Sequence, residues 1–198
     1  PISNFNILPF IIWPFTVIFT FYIYSMMKII IAFILTLGIA NISFAQNQYE
    51  VLIEGKNEKS LKGIISQEVL LNDTSFRWYA DNPKGYTPNA SALAGLKKHA
   101  DSLQFLVFMG TWCEDSHSII PKFYSLLETS GFSKDKVTLI GVDRAKKTLS
   151  HLTEALNITN VPTIIVMKKG KEIGRVVEYG KYGLYDMELG EIIKKLDN

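Results

Sequence analysis

Cysteine is nearly absent from this chain, which has a single one, Cys113, and only three histidines. A lone cysteine excludes an internal disulfide. In an oxidising compartment, Cys113 is therefore either a free thiol or bonded to another molecule. His117, four residues later, could add a metal ligand or a base, but the sequence offers no third ligand beside it, so we predict neither a metal site nor a cofactor.

A strong charge of either sign is absent too. The 198 residues carry a net charge of +2, and no basic run with interleaved aromatic residues occurs. A near-neutral chain argues against nucleic acid as a partner. Internal repeats and low-complexity tracts are also missing. The length beyond the apolar N-terminal region suits one domain with a sizeable core.

Charged side chains are missing altogether from residues 1–25. After them, Met26-Met27-Lys28 gives a basic start, residues 29–40 form a short apolar run, and Ser43-Phe44-Ala45 places small residues two apart. This is the order of a secretory signal peptide and its cleavage site. We therefore predict that the protein is exported, to the periplasm or the cell exterior, and that the mature chain begins near Gln46.

An alternative for the N-terminal region is a membrane anchor. Two apolar stretches, residues 7–24 and 29–44, would then form a membrane hairpin, although its turn would be only a few residues long. Our preferred division of the chain has four parts: an upstream segment at 1–26, a signal peptide at 27–45, an N-terminal extension that packs on the domain at 46–86, and the main domain at 87–198.

Strand and helix patterns alternate along the rest of the chain. We predict a helix over Leu61–Leu71, a helix capped by Thr87 with Pro88 at its first position, and a hairpin of residues 163–167 and 172–177. The aromatic residues between 76 and 86 predict a cap on the domain edge, with a ligand groove as the alternative. The order predicts an α/β sandwich in which helices flank a central mixed sheet.

The main domain is organised around the segment that carries Cys113. Phe105–Met109 is an apolar run typical of a buried strand, and a helical pattern follows it. Cys113 therefore lies where a helix begins, and the unpaired N–H groups and dipole of a helix N-terminus stabilise a thiolate. Glu114 and Asp115 oppose that effect. The position favours a reactive thiol over an inert, half-buried one.

Three features in this order resemble the thioredoxin superfamily. Residues 112–116, Trp-Cys-Glu-Asp-Ser, resemble the Trp-Cys-x-x-Cys motif with Ser116 in place of the second cysteine. Pro121 stands where thioredoxins carry a proline in the active-site helix. Val161-Pro162-Thr163 resembles the cis-proline loop that faces the cysteine. The resemblance implies a thioredoxin-like fold and a contact surface formed by Trp112, Val161 and Pro162.

Two departures from the family pattern bear on function. Ser116 cannot resolve a mixed disulfide, and Val107 stands where thioredoxins keep a buried aspartate. The leading hypothesis is an exported monothiol redox protein, in which Cys113 and Ser116 form the reactive pair and the partners are protein thiols or small thiols such as glutathione. The alternative is a redox-inactive module that binds peptides or proteins. The reactivity of Cys113 toward a thiol reagent distinguishes the two.

Overall fold

The computed structural model describes residues 12–39, 48–55 and 57–197. The chain forms two compact units, residues 1–46 and 47–198. In the first, helix α1 (Ile12–Ile39) is continuous through residues 25–28, where the membrane-hairpin alternative requires a turn. Among the described residues, no helix has the length and apolarity needed to cross a membrane. The predicted cleavage site at 43–45 lies outside the described residues.

The second unit contains six strands and six α-helices in the described part of the chain. The strands are β1 (Tyr49–Glu54), β2 (Glu58–Ile65), β3 (Leu103–Met109), β4 (Val137–Gly141), β5 (Thr163–Lys168) and β6 (Lys171–Val177). The helices are α2 (Gln67–Asn72), α3 (Trp78–Asp81), α4 (Ala90–His99), α5 (Glu114–Ser130), α6 (Leu152–Ala155) and α7 (Tyr185–Lys194).

All six strands belong to one mixed sheet, in the order β1-β2-β4-β3-β5-β6. Strand β3 runs parallel to β4 and antiparallel to β5, so it is covered by strands on both sides. Its residues alternate between two apolar clusters: Phe105, Val107 and Met109 join one, whereas Phe108 joins the other. The sheet is therefore buried on both faces around β3, as the apolar run predicts, and the fold is a thioredoxin-like α/β sandwich.

The helix predicted over Leu61–Leu71 is wrong. Residues up to Ile65 form β2, which pairs with β1 on one side and β4 on the other, and Leu71 belongs to the separate helix α2. The apolar spacing of this segment fits a helix, but the hydrogen bonds offered by two neighbouring strands favour the extended chain. Gly63 is suited to this place because a Cβ there would lie 2.4 Å from the carbonyl of Gln48.

The predicted cap of α4 is also wrong. Asn89 is the N-cap, because its side chain accepts hydrogen bonds from the backbone N–H groups of Ser91 and Ala92, at 2.9 and 3.3 Å. Pro88 disfavours helical geometry at Thr87, which is the residue before it. Asn89 is further held by its own N–H, which donates to the buried carboxylate of Asp186 at the start of α7.

The aromatic residues between 76 and 86 pack inward. Phe76 and Tyr79 are buried in the main apolar cluster, and Trp78 and Tyr86 pack partly against it. The Tyr86 hydroxyl donates to the Asp186 carboxylate at 2.7 Å, which ties this segment to α7. The aromatic residues of this segment therefore pack against the main core, as the predicted cap requires.

Candidate functional site

The turn between β3 and α5 carries the cysteine. Cys113 is the N-cap residue of α5 in extended geometry, and its side chain makes no capping hydrogen bond. Its backbone N–H donates to the Gly110 carbonyl at 3.0 Å, which closes a tight turn. Gly110 has no room for a side chain, since a Cβ there would lie 2.7 Å from the Trp112 ring. The thiol is thus partly exposed at the start of a 17-residue helix.

The cysteine faces the loop before β5, as the resemblance implies. Its Sγ lies 3.3 Å from the Val161 carbonyl oxygen, and the Val161–Pro162 peptide bond is cis. A carbonyl only accepts hydrogen bonds, so this contact belongs to the protonated thiol. The Pro162 carbonyl in turn accepts from the Glu178 N–H at 2.7 Å.

The two residues predicted as contacts in this loop are buried. Val161 and Pro162 have little exposed side-chain surface. The adjoining residues Val177 and Tyr179, on either side of Glu178, are exposed apolar residues. The Glu178 N–H bond to the Pro162 carbonyl places these two residues beside the loop, and the sequence analysis did not include them.

Trp112 is held by the loop that follows β4. Its indole N–H donates to the Val142 carbonyl at 2.9 Å. The Arg144 guanidinium lies over its ring, 5.4 Å from the ring centroid, and also forms an ion pair with Glu58 of β2. The indole is therefore fixed beside Cys113 by one hydrogen bond and one cation–π contact. Nothing near Trp112 in the sequence indicates the role of Arg144.

Within the part of the chain that the structure describes, Ser116 makes no hydrogen bond to Cys113. Its side chain is fully buried, and its hydroxyl oxygen accepts from the Gly110 N–H at 3.2 Å. The thiol of Cys113 instead donates to Val161. Ser116 thus stabilises the turn that carries Cys113. The buried Val107 side chain lies on β3, between Leu139 and Ile164 of the neighbouring strands.

His117 lies on the first turn of α5, and its imidazole Nε2 is 2.7 Å from the Thr111 carbonyl oxygen. Burial lowers the pKa of His117 below the ordinary 6.5, although the bond to Thr111 and the charges of Glu114 and Glu58 act in the opposite direction. Among the described residues, no three His, Cys, Asp or Glu side chains are grouped to hold a metal ion.

The arrangement can form a mixed disulfide and cannot resolve one from within the chain. Cys113 is a partly exposed residue, and a thiolate can attack a disulfide, whereas the oxygen of Ser116 cannot form a sulfur–sulfur bond. Neither the buried Ser116 hydroxyl nor the apolar Val107 side chain can act as an acid or base at neutral pH. Release of the bound partner would therefore require a second thiol from outside.

Comparisons with known proteins agree with this geometry. The family described as Thioredoxin matches residues 94–186. A thioredoxin from Echinococcus granulosus is 31% identical over 87 residues, which cover 44% of this chain and 76% of that protein. The region that matches the family, residues 94–186, contains the turn, α5 and the loop before β5.

Solved structures are also similar to this chain. Thioredoxin from Schistosoma mansoni, in its pre-protein form, is 28% identical, covers 56% of this chain and 93% of its own length, and has a TM-score of 0.35. A protein of unknown function from Pseudomonas aeruginosa is 14% identical, covers 66% of this chain and 83% of its own, and has a TM-score of 0.42.

Proposed function

Because the chain belongs to the thioredoxin family, we propose that it is a redox protein that exchanges thiols and disulfides through a single cysteine. The observation that carries the proposal is the position of Cys113. It is the only cysteine, it begins α5, and its Sγ lies 3.3 Å from the carbonyl that precedes the cis-proline. A helix N-terminus stabilises the thiolate that such an exchange requires.

The proposed step is a one-for-one exchange. The thiolate of Cys113 attacks one sulfur of a disulfide, a new sulfur–sulfur bond forms, and the other sulfur leaves as a thiolate. Because the chain has no second cysteine, the mixed disulfide persists until an external thiol attacks it. Partners are therefore protein disulfides or small thiols such as glutathione. Trp112 and the Val161–Pro162 loop support docking beside the sulfur.

Incubation of the folded protein with oxidised glutathione tests the proposal. Mass spectrometry should show one glutathione adduct on Cys113, reversed by reduced glutathione, and Cys113→Ser should show none. The protein alone should reduce insulin disulfides poorly, since nothing in the chain releases the adduct. If folded protein forms no adduct, the thiol is inert, and a peptide-binding role for the same surface replaces the exchange function.

We further propose that the protein is exported. The proposal is supported by the basic start at residues 26–28, the short apolar run, and the small residues Ser43 and Ala45. Sequencing the N-terminus of the protein from the periplasm or culture medium should give a chain that begins near Gln46. Recovery of a chain that retains Met27 would contradict cleavage and favour an N-terminal membrane anchor.

A further inference from the structure

The backbone on both sides of Trp112 is held by one residue, His117. Its backbone N–H donates to the Cys113 carbonyl at 3.0 Å, as the first helical hydrogen bond of α5. Its imidazole Nε2 lies 2.7 Å from the Thr111 carbonyl. A carbonyl cannot donate, so Nε2 carries the proton and His117 is the donor. His117 is therefore hydrogen-bonded to the backbone carbonyls of both neighbours of Trp112, which are Thr111 and Cys113.

The imidazole is itself fixed by the N-terminal extension. Trp78 of α3 stacks on it with ring centroids 4.0 Å apart and an angle of 18° between the planes. The Asn82 amide donates to the His117 carbonyl at 2.8 Å. Both the ring and the backbone of His117 are therefore contacted by residues from a segment far earlier in the chain.

The same extension holds the turn from a second direction. The Thr111 hydroxyl oxygen accepts from the Leu61 N–H of β2 at 3.1 Å, and the Thr111 side chain is buried. Thr111 is thus fixed through its carbonyl by His117 and through its side chain by β2. These contacts make the extension part of the structure that determines where Cys113 lies.

We propose that His117 is a positioning residue for thiol–disulfide exchange: stacked on Trp78, it holds the Thr111 carbonyl and thereby sets the orientation of Cys113 toward Val161. The inference rests on the proposed exchange function and adds to it a role for the extension. Burial lowers the pKa of His117, and in the neutral ring the bond to the Thr111 carbonyl keeps the single proton on Nε2.

Variants at two positions test the proposal in the full chain, purified in mild detergent. His117→Ala removes the donor, His117→Gln retains an N–H that can reach Thr111, and Trp78→Ala removes the stacked ring. We expect His117→Ala and Trp78→Ala to slow glutathione adduct formation on Cys113 roughly tenfold, because small errors in the position of a reacting atom are costly. His117→Gln should stay within about threefold of the native rate, since it keeps the hydrogen bond.

Amide hydrogen exchange of Cys113 provides a second measurement that needs no redox reaction. The Cys113 N–H donates to Gly110 across the turn, so it should exchange faster in His117→Ala while amides of β5 keep their native rates. His99→Ala is the matched control, because His99 also makes a side-chain hydrogen bond, to Asp197, but lies on α4 outside the site. It should change neither measurement.

Specific outcomes would overturn the proposal. Equal slowing in His117→Ala and His117→Gln would indicate packing rather than the hydrogen bond to Thr111. Native rates of both adduct formation and Cys113 amide exchange in His117→Ala would show that the residue positions nothing. If the native protein itself forms no adduct, the proposed function fails, and the positioning role in exchange fails with it, whereas faster amide exchange in His117→Ala would show separately that the turn depends on His117.

Discussion

Ser116 occupies the resolving position of the motif without the chemistry to resolve a disulfide. Its hydroxyl is buried and accepts a hydrogen bond from the Gly110 N–H at 3.2 Å, so it stabilises the turn between β3 and α5. Replacement by cysteine would place a second sulfur on the first turn of the helix, three residues from Cys113, which is the spacing of a dithiol motif.

We predict that Ser116→Cys gives the protein dithiol behaviour that is slow. The new thiol can release a partner bound to Cys113, but Val107 provides no buried acid to assist proton transfer. Insulin reduction without glutathione should rise above that of the native protein, and titration should show loss of both thiols on oxidation. Ser116→Ala is the control and should gain no turnover. Persistent glutathione adducts in Ser116→Cys would contradict the prediction.

His117 also predicts how stability depends on pH. Burial lowers its pKa from the ordinary 6.5, so the unfolded chain binds a proton more readily than the folded one. The folded state therefore loses stability as the pH falls below about 6.5. Urea unfolding of His117→Gln should show a smaller loss of stability between pH 7 and pH 5 than the native protein shows.

At the scale of elements, the caps and pairings of the extension and of α4 differ from those that local patterns suggest. Asn89 rather than Thr87 caps α4, and its side chain satisfies two N–H groups of the first turn. Asn89→Ala should therefore destabilise the protein by about 1 kcal/mol in denaturant unfolding. Thr87→Ala is the matched control at an exposed residue and should cost less than about 0.5 kcal/mol. A larger loss of stability in Thr87→Ala than in Asn89→Ala would indicate that Thr87 is the cap.

The predictable elements are those whose signal is local. The run Phe105–Met109 and the helical spacing after Cys113 are contiguous in sequence, so β3, α5 and the turn between them could be predicted. The contact of Cys113 with Val161 followed from the family resemblance. Strand β2 was not predicted, because the spacing of its apolar residues fits a helix, whereas its extended form depends on pairing with both β1 and β4.

The contacts across the site lack a local sequence signal and could not be predicted either. The stack of Trp78 on His117, the bond from Leu61 to Thr111 and the cation–π contact of Arg144 with Trp112 each join residues that are distant in sequence. No spacing rule links such pairs. The sequence indicated that His117 lies one turn from Cys113, but its acceptor, the Thr111 carbonyl, depends on the path of the turn.

At the scale of the whole molecule, the extension is a structural part of the domain. Strand β2 lies between β1 and β4, and the extension contributes five buried side chains to the main core. These are Leu61, Ile65, Leu70, Phe76 and Tyr79. Their burial contributes roughly 10 kcal/mol at about 2 kcal/mol each, which is comparable to the total stability of a typical domain.

We therefore predict that residues 87–198 alone do not fold cooperatively, although they contain the whole region that matches the family, residues 94–186. Residues 47–198, which form one compact unit, should show a single unfolding transition by circular dichroism. The shorter chain should lack that transition and bind a hydrophobic dye. A cooperative transition in the shorter chain would show that the extension is dispensable for folding.

The strand order also determines what happens while the chain is being made. Strand β2 leaves the ribosome before Cys113, but its partner β4 emerges only after the whole of α5. During that interval, the turn that carries Cys113 is not yet anchored by the complete sheet, and the thiol is exposed to reaction with disulfides in its surroundings. A chain with several cysteines could then trap a wrong crosslink. This chain has no second thiol with which to form a wrong internal crosslink, so reaction of Cys113 with a disulfide yields an adduct that an external thiol removes.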